Sequence, residues 1–127
     1  MKINHIDNIN YKGFQFRDKK SVSQVAEKLS LERADDVVNV LDILKEQKNN
    51  PDIISIGVDA NMIYAENMKD NSRKYYHGIF QKITDFFREV VNQTGRESSV
   101  TDKVHGYGRT HFYQNDIITK IEETMKN

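Results

Sequence analysis

Residues 52–67, DIISIGVDANMIYAEN, hold the only sustained alternation of apolar and polar positions in the chain. The apolar residues of the first half share one face of a predicted strand: Ile54, Ile56 and Val58. A four-residue turn at 59–62 sets Val58 opposite Ile63. The same register sets Ile56 opposite Ala65, so both strands offer one apolar face. We therefore predict a β-hairpin that serves as a floor for helices.

A further strand is predicted near residues 10–16. Its apolar positions change parity part-way along, with two before the change and two after it: Ile9, Tyr11, Phe14 and Phe16. Gly13 lies at the change, as is typical of a bulge that re-aims a strand. We expect this strand at an edge of the sheet or as a third partner of the hairpin.

The residues that open this strand resemble known sequences. INYKGFQF, residues 9–16, is similar to the I-N-F-K-G-type openings of some small uncharacterised proteins of gut bacteria, with Tyr11 in place of the usual Phe. The similarity covers fewer than ten residues of the chain. It implies no activity.

Helical spacing predicts about four helices around this sheet. Ser21 with Gln24 forms a capping box, which predicts that the first helix starts at Ser21. Ser30 is predicted to cap the second helix, which the Asn-Asn-Pro sequence at 49–51 ends. The predicted inner faces of the two helices are Val22, Val25, Ala26 and Leu29, and Ala34, Val37, Val38, Leu41 and Leu44.

The strongest helical pattern extends from Asn71 or Ser72 to Gly95. Large apolar residues recur there at spacings of three and four: Tyr75, Tyr76, Ile79, Phe80, Ile83, Phe86, Phe87, Val90 and Val91. A long loop is predicted for residues 96–114, after which Asn115 or Asp116 begins a last helix. The apolar face of that helix is Ile117, Ile118, Ile121 and Met125.

These elements predict a single α+β domain over residues 1–127, with a small antiparallel sheet packed against about four helices, mainly on one face. The sheet comprises the hairpin near 52–67 and the strand near 10–16. A chain of 127 residues buries about two thirds of its unfolded surface. The hydrophobic fraction of 37% and the mean hydropathy of −0.74 indicate a modest core under a charged surface.

The charge balance argues against binding to nucleic acid. Nineteen basic and nineteen acidic residues give a formal net charge of zero, which provides none of the attraction that non-specific binding to phosphates needs. Residues 21–41 loosely resemble a helix-turn-helix, but the second helix would present Glu32, Asp35 and Asp36 to the phosphates. We therefore expect two packed helices here and no nucleic-acid partner.

The chain contains no cysteine, which excludes a disulfide framework, a thiol nucleophile and a thiolate metal site. Its N-terminus has no apolar run typical of a signal peptide, and no stretch approaches the roughly eighteen apolar residues of a membrane span. We expect a soluble cytoplasmic protein with no membrane span and no cofactor.

Residues 102–116 form the segment richest in reactive side chains: Asp102, His105, Arg109, His111 and Asp116. One interpretation is a metal site, in which the two histidines and one of the aspartates supply three ligands and leave a position for a catalytic water. Another is a phosphate site, in which residues 106–108 offer backbone N–H groups, Arg109 donates a bidentate pair of hydrogen bonds, and His111 acts as general acid or base. A third is a surface loop whose His and Tyr residues pack on the preceding helix.

The helix predicted near 72–94 carries aromatic and basic residues. Burial in the core is the simplest interpretation of the aromatics, but their stripe is wider than a small sheet covers, so part of it can serve a partner. The candidate contact residues are Tyr75, Tyr76, Phe80, Phe87, Tyr107 and Arg109. We predict a non-enzymatic interaction module that binds a protein partner or itself through this helix. The alternative is a phosphate- or metal-dependent enzyme that uses the 102–116 loop, with His105, Arg109 and His111 as catalytic candidates.

Overall fold

A computed structural model describes residues 12–126 of the chain and has an α+β fold, which confirms the predicted class. The strands are β1 (Gly13–Phe16), β2 (Ile53–Asp59), β3 (Met62–Asn67) and β4 (Ser72–Tyr75). The helices are α1 (Lys19–Ser30), α2 (Ala34–Glu46), α3 (Ile83–Asn92) and α4 (Gln114–Met125), with short turns of 3-10 helix at Gln47–Asn49 and Gly78–Phe80. The start of the strand predicted near 10–16 lies outside the described residues.

The four strands form one sheet in the order β1-β2-β3-β4. β2, β3 and β4 are antiparallel neighbours, but β1 pairs parallel to β2, so the prediction of a purely antiparallel sheet is wrong. The reason is the connection between β1 and β2. It contains α1 and α2, and a crossover of that length is what a parallel pair requires.

The hairpin prediction is confirmed in its register. Val58 lies opposite Ile63 and Ile56 lies opposite Ala65, and the turn closes between Asp59 and Met62. Two-residue hairpin loops need a left-handed backbone when they match the twist of the strands. The two central residues of this turn meet that requirement, with φ of 50° at Ala60 and 65° at Asn61.

The first two helices do not start where the sequence predicts. The first helix starts at Lys19, because the Asp18 carboxylate accepts hydrogen bonds from the Ser21 backbone N at 2.8 Å and from its Oγ at 2.7 Å. These hydrogen bonds lower the pKa of Asp18. Ser30 is not the cap of the second helix but the last residue of α1, and its hydroxyl donates to the Glu27 carbonyl at 2.6 Å.

The long helix predicted from 71 or 72 to 95 is also wrong in extent. Its first residues form β4, in which Arg73 lies opposite Glu66 and Tyr75 lies opposite Tyr64. Gly78 then takes a φ of 62° and begins a separate turn of 3-10 helix, so the α-helical part of the segment is α3 alone. Pairing with the neighbouring strand β3 outweighs the helical spacing of the aromatics.

The inner face of the sheet and all four helices share one hydrophobic core. Phe87 lies at its centre, with its ring centroid 5.5 Å from that of Phe14 and 5.4 Å from that of Phe86, in edge-to-face contacts. The sheet contributes Phe14, Ile54, Ile56, Ile63 and Ala65 to this core. The helices therefore pack on one apolar face of the hairpin, as predicted.

Tyr64 covers part of the opposite, outer face of the sheet. Its ring lies across Gly57, where an added Cβ would come within 2.4 Å of the phenol oxygen. Arg17 donates a hydrogen bond of 2.6 Å to that oxygen, and the guanidinium of Arg73 stacks 3.9 Å from the ring centroid. Tyr64 is only 3% exposed.

Candidate interaction surface

The α3–α4 loop, residues 93–113, runs along α2 from its C-terminal end toward its N-terminal end. At the C-terminal end, the Glu46 carboxylate accepts hydrogen bonds from Ser98 Oγ at 2.7 Å and from the Ser99 backbone N at 2.8 Å. Further along, Asn39 Nδ2 donates to the Lys103 carbonyl at 3.3 Å. Side chains of α2 therefore contact the predicted loop along the length of the helix.

Glu46 is the charged anchor of this packing. Burial alone would raise the pKa of Glu46, but hydrogen bonds from Ser99 and Ser98 outweigh that effect. The pKa therefore lies below its ordinary value of 4.5. The ionised carboxylate is the form that holds the loop.

The two histidines of the loop form hydrogen bonds at different places, one within α2 and one just before it. The His105 backbone N donates to Asp35 Oδ1 at 2.8 Å, and its Nε2 lies 3.1 Å from Asn39 Oδ1. His111 Nδ1 lies 2.8 Å from the Glu32 carbonyl oxygen, just before α2 begins. Both rings thus have polar partners that fix the loop.

The ligands of the predicted metal site do not come together. Asp102 pairs with Arg88 at 2.7 Å, and Asp116 lies in the first turn of α4. Among residues 12–126, no three His, Asp or Glu side chains are arranged to hold a metal ion. His105 and His111 therefore serve the packing of the loop in this structure.

The residues predicted to bind phosphate do not all line one groove of the described chain. Arg109 is exposed, whereas His111 lines a groove of about 620 Å³ beside the N-terminal end of α2. Neither Arg109 nor the glycines at 106 and 108 are among the described residues that line this groove. Tyr107 packs against Phe112, with ring centroids 5.4 Å apart.

The predicted contact residues of the 72–94 segment lie in different environments. Phe87 is fully buried in the core and offers no surface. Tyr75 lies on the outer face of the sheet, where its hydroxyl is 3.1 Å from Asp59 Oδ2, and Tyr76 packs against Phe86 on the inner face. Phe80 alone of these four is largely exposed, at 87%.

Phe80 belongs to a cluster of exposed apolar side chains, which we call the Leu31 surface and define as Leu31, Ile79, Phe80 and Val104. Their exposed fractions are 70%, 94%, 87% and 89%. Sequence patterns missed this surface because its members come from three separate segments. The sequence did contain one signal of this surface: Leu31 is an apolar residue in an otherwise polar turn between two helices.

Two neighbouring grooves join these side chains. The first, of about 500 Å³, lies between the α1–α2 turn and the Gly78–Phe80 turn, and Leu31, Tyr76, Ile79 and Phe80 line it. The second is the groove beside α2, which Leu31 and Val104 line. Leu31, Glu32 and Lys82 line both grooves, so the surface is continuous.

Charges of both signs surround the first groove. Lys28 and Lys82 line it together with Glu32. Burial raises the pKa of Tyr76, and the negative charge of Glu32 raises it further. The Tyr76 hydroxyl therefore stays protonated and can donate a hydrogen bond within the groove.

Comparison of the chain with known protein families, with curated proteins and with solved structures found no match. The resemblance of the INYKG opening to proteins of gut bacteria therefore stays a prediction. None of the helices between residues 12 and 126 is long and apolar enough to cross a membrane.

Proposed function

We propose that this chain is a non-enzymatic interaction module, and that the Leu31 surface is where it binds another polypeptide. The observation that carries this proposal is the exposure of Ile79 and Phe80, adjacent residues that are 94% and 87% exposed. Single exposed apolar residues are common, but contiguous ones beside a groove are typical of interaction sites.

The energetics favour this surface as a binding site. Full burial of a Phe or Ile side chain is favourable by about 1.5–3 kcal/mol. Aromatic anchors that enter pockets dominate many protein interfaces, and polar residues around them exclude water. Phe80 supplies such an anchor, and Lys28, Glu32 and Lys82 supply the polar rim.

The enzyme alternative lacks a comparable observation. It needs His105, Arg109 and His111 to act at one place. His105 is bonded to Asp35 and Asn39, His111 is bonded to the Glu32 carbonyl, and Arg109 lines neither groove of the Leu31 surface.

Site-specific photo-crosslinking tests the proposed function. Benzoylphenylalanine in place of Phe80 keeps an aromatic side chain at the surface, and the same residue in place of Met68 is the matched control, since Met68 is also exposed but lies at the other end of the sheet. In cells that express the protein, we expect a discrete crosslinked polypeptide from position 80 and none from position 68. Equal adducts from both positions, or no adduct from position 80, would contradict the proposal.

A further inference from the structure

We propose that the polypeptide bound at the Leu31 surface is a second copy of this chain, in a two-fold symmetric dimer. This inference rests on the proposed function and names its partner. It is drawn from the shape, the charge and the size of the surface.

The surface offers both exposed apolar side chains and a groove. Ile79 and Phe80 protrude from the Gly78–Phe80 turn, and the groove beside them extends to Leu31 and Tyr76. In a two-fold interface, the same surface of both copies forms the contact, so a residue that contacts a second residue of the partner is repeated by symmetry on the other side. The protruding pair of each copy can therefore enter the groove of its partner, and one surface supplies both halves of the contact.

The charges around the groove also suit pairing of identical surfaces. Glu32 lines the same groove as two basic residues of the rim, Lys28 and Lys82. Among residues 12–126, none of these three side chains forms an ion pair with another described residue. They are free to pair across the two-fold axis, and the formal net charge of zero adds no repulsion between copies.

The size of the surface approaches that of a specific interface. A standard interface takes about 800 Å² from each partner, and one aromatic side chain alone buries about 150–250 Å². Four apolar side chains exposed by 70% or more, together with the charged rim, supply most of that area.

Sedimentation equilibrium of the purified full chain tests the inference. From micromolar to millimolar concentration, we expect the apparent mass to rise from 14.8 kDa toward twice that value. The double variant Ile79→Ser/Phe80→Ser should associate at least tenfold more weakly, whereas Met68→Ser should match the wild type. A wild-type mass of 14.8 kDa over the whole range would overturn the inference, as would an unchanged dimer in the double variant.

Exchange of the charges on the rim provides a second measurement. Misfolded variants could not restore association when they are mixed, so a restored dimer cannot come from loss of folding. Glu32→Lys makes the charged side chains of the first groove wholly basic, and Lys28→Glu/Lys82→Glu makes them wholly acidic. Each variant alone should therefore be a monomer. Mixing the two should restore a dimer that contains one copy of each. Failure of the mixture to associate would overturn the assigned two-fold contact.

The crosslinking experiment separates failure of this inference from failure of the proposed function. Adducts of the purified protein with itself from position 80 support self-association. An adduct formed only in cells, with a polypeptide of another mass, overturns self-association and leaves the interaction module standing. No adduct in either setting overturns both.

Discussion

At the scale of single residues, Gly57 meets a steric requirement that the ring of Tyr64 sets. A Cβ at this position would lie 2.4 Å from the Tyr64 phenol oxygen and 2.5 Å from the ring carbon that bears it. Two contacts resist a shift of the Tyr64 side chain: Arg17 donates to its hydroxyl, and the Arg73 guanidinium lies over the face of its ring. Glycine at 57 therefore lets an aromatic ring cover the outer face of β2.

We predict that Gly57→Ala lowers the free energy of unfolding by about 1–3 kcal/mol, the usual cost of overpacking. Urea unfolding of the wild type and the variant measures this. The control is the same substitution in a Tyr64→Ala background, where the clash is absent and the loss should nearly vanish. Equal losses in the two backgrounds would show that Tyr64 is not the cause.

At the scale of elements, the α3–α4 loop depends on side chains of α2. Glu46 accepts from Ser98 and Ser99, and Asp35 accepts from His105. The sequence predicted the loop and its reactive residues but not these partners, because they lie more than fifty positions away along the chain. Local patterns carry no information on such contacts.

The pKa of Glu46 makes the loop contact sensitive to acid. Because the folded-state pKa lies below the ordinary value of 4.5, the stabilisation is fully present above pH 4.5 and is lost as the pH falls through the folded-state pKa. We predict that Glu46→Gln lowers the free energy of unfolding at neutral pH by about 1 kcal/mol, allowing for partial exposure. The difference from the wild type should shrink as the solution is acidified below that value.

Urea unfolding at a series of pH values measures this difference. Glu27→Gln, which removes an exposed carboxylate from α1, is the control for loss of charge alone. A difference between Glu46→Gln and the wild type that stays constant or grows on acidification would contradict the assignment.

The elements also show which local signals were sufficient. The hairpin register was predictable because the alternation of Ile54, Ile56 and Val58 and the turn length together fix which residues pair. The boundary between β4 and α3 was not predictable from the sequence, because the aromatic spacing at 75–91 suits a helix throughout. Two cross-strand pairs with β3 make residues 72–75 a strand: Arg73 lies opposite Glu66, and Tyr75 lies opposite Tyr64.

At the scale of the whole molecule, folding assembles a surface that no single segment contains. Leu31 comes from the turn between α1 and α2, Ile79 and Phe80 come from the turn before α3, and Val104 comes from the α3–α4 loop. Of the residues predicted to contact a partner, Phe80 belongs to this surface and Phe87 lies in the core. Exposure, which decides the difference, is a property of the tertiary fold.

The most direct test of the Leu31 surface is a dilution series followed by the backbone amide NMR signals of the labelled full chain. We predict concentration-dependent shifts at Leu31, Ile79, Phe80 and Val104, with the signals of Met68 and Ser55 unchanged. The Ile79→Ser/Phe80→Ser variant should lose this dependence while the signals of its core residues stay in place. Shifts centred on Tyr64 and Tyr75 at the outer face of the sheet, or no shifts at any concentration, would contradict the account.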